Sequence, residues 1–486
     1  METQVFLAAL LALLCSEANG EFRLFNVYQN EMVLQMEPKS AVLAGFSDFG
    51  ARVSVTYEGN SIETPVDVDG TWKIVLPPHA QGGPVDFNLS QNGNETVSLL
   101  AWFGDVWFCS GQSNMEMPVR EVFNATEEIE KALGYQNLRL LQIKNNYSLN
   151  SELVEVDGFS IPWSAPTSEL AASFSALCLF FGERISNHFG NTRPIGLIDS
   201  SWSGTRIEAW SSPRVMEYCG TPANDGEFEN SESALWNGMV APLTKTAIRG
   251  AIWYQGSTNV EWNSAYYSCH IQTLVKDWRD TFQQGNVPAD ENAVAFPFGV
   301  FQNGPTEQGD DFRWGYLRVH QTADQGVLPN VLIPEAFVGN TYDLTDHDSP
   351  TGDIHFRDKQ TATTRLANAA KNVIYGQTNF RKYGPVPKSA EFVSPGALAV
   401  NYDVDIRIAG LDGFHFQRGN GSWSGASFQQ ENSTAVVVQV DLDATLLTYA
   451  FRSSVCEYKQ CAIYSADEQD LPAQPWLFVL PAFYDN

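Results

Sequence analysis

Phe103-Gly104-Asp105-Val106-Trp107-Phe108-Cys109-Ser110-Gly111-Gln112-Ser113-Asn114-Met115-Glu116-Met117 is the stretch on which the reading of the chain turns. Val106 to Cys109 has the apolar character of a buried strand. The turn that follows contains Gly111 and leaves Ser113 at the mouth of the next helix. A serine so placed exposes its hydroxyl at the carboxyl end of a strand, beside backbone N–H groups that stabilise a developing negative charge. Hydrolases keep their nucleophile in such a place. A serine before helical sequence also serves as a plain helix cap, so the surrounding chain has to decide between the two.

Working outward, the 486 residues suggest two to four domains on a prior of about 150 residues each. Residues 1–20 read as a secretory signal peptide, with an apolar run from Val5 to Cys15 and small residues at Ala18-Asn19-Gly20. That run is shorter than the roughly 20 residues a membrane span needs, and no later stretch is long and apolar enough, so no stable membrane anchor is expected. Asn-X-Ser/Thr acceptors at Asn88, Asn94, Asn124, Asn146, Asn420 and Asn432 fit a secreted glycoprotein, lysosomal or extracellular. Past the signal, Cys109, Cys178, Cys219, Cys269, Cys456 and Cys461 allow 15 disulfide pairings. Cys456 and Cys461 are the natural local pair, and Cys109 reads equally well as a free apolar thiol. A formal net charge of −28 argues against nucleic acid and against anionic membrane surfaces.

From residue 21 to about 100, short alternating segments punctuated by Gly, Pro and Asn predict a β-sandwich-like domain without a cluster of reactive side chains. From 101 to 380, strand-like and helix-like segments alternate, which predicts an α/β domain with a mainly parallel sheet flanked by helices. Its expected strands include Leu138 to Ile143, Ile195 to Ser201, Gly250 to Tyr254, Ala295 to Gln302 and Asn330 to Pro334. Helices are expected over Ser173 to Phe189, Tyr266 to Phe282 and Asp358 to Tyr375. Residues 381–486 read as a β-rich module, separate or packed back onto the α/β domain. In open parallel sheets ligands bind beyond the carboxyl ends of the strands, so polar residues just after strands carry the functional weight.

A serine nucleophile needs a base. Among the seven histidines, His355 stands out because Asp353 and Asp348 lie nearby in a polar loop between a strand and a helix. A carboxylate on Nδ1 would fix the tautomer and stabilise the imidazolium. The same acidic loop also reads as a surface cation site. His347 is the competing base. For the oxyanion, Gly204 offers a backbone N–H in a turn after a strand, and Gln255 offers an amide NH2 at the end of another. Each has an ordinary structural reading, Gly204 as a tight turn and Gln255 as a strand-end hydrogen bonder.

The order Ser113, Gly204, Gln255, His355, each after a strand, resembles the SGNH hydrolases. Gly-Asp-Val-Trp-Phe-Cys-Ser-Gly-Gln-Ser-Asn-Met, Ile-Gly-Leu-Ile-Asp-Ser-Ser-Trp-Ser-Gly-Thr-Arg-Ile-Glu-Ala-Trp, Trp-Tyr-Gln-Gly-Ser-Thr-Asn and Ile-His-Phe-Arg-Asp-Lys-Gln are more closely similar to the sialate O-acetylesterase family. The similarity extends to Met32-Val33-Leu34-Gln35 and Cys456-Glu457-Tyr458-Lys459-Gln460-Cys461. It implies an SGNH-type α/β fold and hydrolysis of O-acetyl esters of sialic acids, the 9-position especially, with neither metal nor cofactor. It also implies Ser113 as nucleophile, His355 as base, and Gly204 and Gln255 in the oxyanion hole. Asp353 is the first choice for the acid, with Asp348 behind it, and some related enzymes orient the histidine with a backbone carbonyl instead. Arg206 is a candidate for the sialic acid carboxylate, with a structural ion pair to Glu208 or another acid as the alternative.

Two departures stand out. Ser257 occupies a position where the family usually has Glu, and Phe356 one where it usually has Pro. Two other readings therefore accompany the main one: an acetylesterase of other acetylated polysaccharides, and a non-catalytic sialoglycan-binding homologue. A protease or lipase of the Gly-X-Ser-X-Gly type is disfavoured, since Asn114-Met115 follows Ser113.

Overall fold

The computed structural model describes residues 21–222, 226–282, 296–306 and 310–481. The expected signal peptide lies outside the described residues. The chain is α/β around one strand, Glu95–Gly111, whose burial changes character along its length. Up to Trp102 buried and exposed positions alternate, as expected where one face meets solvent; from Phe103 onward every residue is buried, as in a parallel sheet covered on both faces.

The neighbours explain the change. The first half pairs antiparallel with Gly82–Gln91 and parallel with Met32–Gln35, within the N-terminal β-rich region. The second half lies between Ile195–Ser201 and Gly250–Tyr254, both parallel to it. The full order is Phe159–Ser164, Leu138–Ile143, Ile195–Ser201, Glu95–Gly111, Gly250–Tyr254, Phe298–Gln302, Ala336–Asn340, with only the first of these antiparallel to its neighbour. One strand thus runs unbroken from the N-terminal sheet into the parallel sheet, through residues 100 and 101.

Successive side chains of this strand enter opposite cores. Trp107 packs edge-on against Phe181 of the helix Ala176–His188, at 4.8 Å between ring centroids. Phe108 meets Trp278 of the helix Tyr267–Thr281, at 5.4 Å. The helix Lys359–Tyr375 shares the first face, and Arg184 donates across to Thr364 Oγ1 and the Gln360 carbonyl. Among the described residues no helix is long and apolar enough to cross a membrane.

The C-terminal region forms two four-stranded sheets around its own core, which includes Leu398, Val436, Leu447 and Tyr449. It packs back onto the α/β region: the fully buried Arg318 donates to the carbonyls of Ala450, Arg452 and Ser453.

Three expectations are corrected. Asn330 to Pro334 is not a strand; Asn330 Oδ1 accepts from the N–H groups of Leu332 and Ile333, closing a turn, and the strand is Ala336–Asn340. The helix over Ser173 to Phe189 begins later, at Ala176, because Ser175 caps it by accepting from Cys178 N–H; Ser168–Ser173 is a separate short helix. Cys109 is not free. It is bonded to Cys178, Cys219 to Cys269, and Cys456 to Cys461 as expected.

Candidate active site

Gly111 ends the central strand with φ +134°, a conformation that side chains rarely adopt, and a Cβ there would sit 2.2 Å from the Tyr254 carbonyl oxygen. The chain can therefore turn sharply into Ser113–Glu116, a single helical turn. The start of the helix Ala176–His188 braces that turn. Ser175 Oγ donates to the Met115 carbonyl at 2.6 Å, and Ala176 N–H donates to the Met117 carbonyl. The Cys109–Cys178 disulfide ties the same two elements just below.

Gly204 follows the adjacent strand and has φ +74°, with open space where a Cβ would stand. Two bonds fix its turn against the serine: Trp202 N–H donates to the Gly111 carbonyl, and Ser203 N–H donates to Glu116 Oε2 at 2.7 Å. Among the described residues, the N–H groups of Ser113 and Gly204 donate to no protein acceptor. Burial pushes the Glu116 carboxyl up from the usual range, while its bonds from Asn145 and Ser203 pull it down. Behind it, Asp199 is pushed up to about 7 by burial, held by Ser201 Oγ and Gln142 Nε2.

Ser113 and His355 line one cleft of about 480 Å³, together with Glu116, Arg120, Gln142 and Thr351 among others. His355 Nδ1–H donates to the Thr351 carbonyl at 2.7 Å. This bond fixes the tautomer, leaving Nε2 as the proton acceptor of the neutral ring. Burial lowers the His355 pKa from its ordinary value; the Thr351 carbonyl opposes that, Lys359 adds to it, and Glu121 and Asp353 oppose it.

The expected Asp353–His355 hydrogen bond is corrected accordingly. Asp353 Oδ1 accepts from Ile354 N–H, and Nδ1 is taken by a backbone oxygen that the loop brings closer. Asp348 is exposed, and its charge acts on Arg357. His347 pairs with Glu457 at 3.2 Å.

Gln255 is corrected as well. It is fully buried, and its Nε2 donates to the Thr205 carbonyl, Asn259 Oδ1 and Gln112 Oε1 at 3.0, 2.8 and 3.2 Å. The amide expected to face an oxyanion instead fastens the three turns from behind. Gln112 Oε1 also accepts from Gly256 N–H, so the residue before the nucleophile is locked to this block. Arg206 is 8% exposed, with its guanidinium 4.0 Å above the Trp262 ring, and it does not line the cleft. Glu208, one of the acids expected to pair with it, accepts from Asn259 and Asn263. The guanidinium in the cleft lining is that of Arg120.

Two residues within the quoted motifs carry more than the sequence reading gave them. Asn114 Nδ2 donates to the Ile354 carbonyl at 3.0 Å, and Asn114 Oδ1 accepts from Lys359 Nζ at 2.5 Å. The residue after the nucleophile therefore holds the residue before the base. Lys359 is fully buried, its Nζ 3.7 Å above the Phe356 ring, and burial drives its pKa well below the lysine range. Phe356 fills the core beside Tyr254, while Ser257 lies partly exposed on its turn. The signal for Asn114 and Lys359 was their presence in two of the four blocks, at residue types able to bridge them.

The family described as "Carbohydrate esterase, sialic acid-specific acetylesterase" matches residues 103–359, and the "Sialate O-acetylesterase C-terminal domain" matches residues 394–480. The chain is 36% identical to the Homo sapiens sialate O-acetylesterase, over 94% of this chain and 92% of that one. Against the Mus musculus protein of the same name it is 34% identical, over 96% of each. Among solved structures, a carbohydrate acetylesterase from Xanthomonas citri is similar with a TM-score of 0.79 at 25% identity, over 94% of this chain and 99% of that one.

Proposed function

From the chain's membership of the sialic acid-specific carbohydrate esterase family, we propose that it hydrolyses O-acetyl esters of sialic acids, the 9-O-acetyl ester in particular, in the secretory pathway, lysosome or extracellular space. The observation that carries the reading is the cleft shared by Ser113 and His355, with the imidazole tautomer set by Thr351.

Ser113 Oγ attacks the acetyl carbonyl carbon as His355 Nε2 takes its proton. The resulting oxyanion is met by the N–H groups of Ser113 and Gly204, and Gln255 acts behind them by holding the turns in place. Collapse expels the sugar alcohol, which receives the proton from His355. Water, deprotonated by the same ring, then attacks the acetyl-enzyme and releases acetate, regenerating Ser113. Arg120 supplies the positive charge that a sialic acid carboxylate would need, in place of the buried Arg206.

The test is acetate release from 9-O-acetylated sialic acid by the wild type, Ser113→Ala and His355→Ala, each checked for native circular dichroism. Wild-type release, falling by on the order of 10⁴-fold or more in both variants, is expected. Release unchanged in folded Ser113→Ala would refute the mechanism. Release from acetylated polysaccharides but not from the sialic acid ester would refute the substrate.

A further inference from the structure

A cavity of about 640 Å³ lies away from the catalytic cleft. It opens on the C-terminal region between the hairpin of strands Phe414–Arg418 and Trp423–Gly425 and the segment around Phe312. Its volume falls within the roughly 300–1,000 Å³ typical of small-molecule sites.

Its lining combines an aromatic platform with mixed polar groups. Trp423 stacks on Phe312 with centroids 4.1 Å apart and planes 6° from parallel, and His415 meets the edge of that pair at 5.2 Å from Phe312. The stack holds the indole in a fixed orientation while it remains partly exposed. Around it stand two carboxylates, Asp310 and Asp412, and one guanidinium, Arg452, which pairs with Asp310. The Asp412 side chain is exposed at the rim. His415 is 9% exposed and backs the platform, with its Nδ1 buried away from the open space of the groove. Burial first, then Arg452, pulls its pKa down to about 4, so the ring is neutral at neutral pH.

These groups discriminate among ligands. With two carboxylates against one guanidinium and a neutral imidazole, the groove repels an anionic sugar. Arg452 opposes an organic cation. A flat apolar ligand would desolvate the carboxylates without satisfying them. A neutral sugar satisfies the whole set: its hydroxyls both donate and accept, and the C–H face of the ring packs on the indole.

We propose that this groove is a second saccharide site, binding a neutral pyranose through Trp423 and Asp412. The binding does not depend on the esterase reading. Its consequence does: a neutral residue of a glycan held here raises the local concentration of acetylated sialic acid on the same glycan.

The experiment is saturation-transfer NMR on the full chain with lactose as the probe, and 3′-sialyllactose and tetramethylammonium as comparators. Saturable lactose binding with a dissociation constant on the order of millimolar is expected. It should weaken at least ten-fold in Trp423→Ala and in Asp412→Asn, the second of which changes only an exposed side chain. Hydrolysis of a soluble aryl acetate should stay within two-fold of wild type in both variants. Absence of lactose binding, equal binding by the wild type and both variants, or tighter binding of tetramethylammonium or of the sialic acid moiety would overturn the proposal.

Discussion

Asn114 is the side chain through which the nucleophile turn and the base loop are held together, and Asn114→Ala tests whether that strap matters to the chemistry. The substitution removes the acceptor of Lys359 Nζ and the donor to the Ile354 carbonyl. Lys359 is fully buried, so stranding its amine costs about 1–3 kcal/mol. Ile354 is only partly buried, so water can replace its donor, and that loss is nearer the net value of one hydrogen bond, about 0.5–1.5 kcal/mol. The sum is roughly 1.5–4.5 kcal/mol of stability. The effect on rate has a different origin: freed from Asn114, the His355 loop shifts relative to Ser113, and a displacement of about 1 Å is worth on the order of 10²-fold in kcat. Urea unfolding reads the first quantity and aryl acetate hydrolysis the second. The expected result is a lower unfolding midpoint, kcat reduced by about 10²-fold and KM nearly unchanged. Asn114→Asp separates the two contacts, since it keeps an oxygen for Lys359 and removes the donor to Ile354. It should recover most of the stability and little of the rate. A kcat within two-fold of wild type in Asn114→Ala, whatever the stability, would refute the alignment role.

Two further outcomes follow from the His355 environment. Only the neutral ring accepts the serine proton, and its folded pKa lies below the ordinary 6.5. The kcat/KM profile should therefore rise with pH through a midpoint under 6.5 and be flat above it; a midpoint above 6.5 would contradict the burial argument. Asp353→Asn should cost less than about ten-fold in kcat, because Thr351 rather than Asp353 holds Nδ1, whereas a true triad aspartate would cost on the order of 10⁴-fold. The same variant should move the acid midpoint slightly lower still, since the Asp353 charge acts to raise the His355 pKa.

The sequence by itself determined the scaffold of the site. The apolar run to Cys109, the Gly111 turn and Ser113 are written within a few residues, and local backbone preferences are enough to read a strand, a turn and a helix start from them. The four blocks and their order were likewise legible, as were most strands of the parallel sheet. Asn330 to Pro334 misled because β-branched and apolar residues there are overruled by one asparagine side chain capturing two backbone N–H groups.

What only the tertiary structure decided was the partner each polar group takes. Gln255 reads equally as an oxyanion donor or a strand-end hydrogen bonder until the parallel register brings Gly111 beside Tyr254 and Ser201, which sets the Gln112 and Thr205 turns around its amide. Nδ1 of His355 chooses Thr351 over two nearby carboxylates, Arg206 stacks on Trp262, and Cys109 finds Cys178 across 69 residues of chain. Strand and turn propensities act over a few residues and survive in the sequence pattern. Hydrogen bonds and disulfides depend on ångström-scale distances between segments far apart in the chain, and those distances exist only once the sheet has formed.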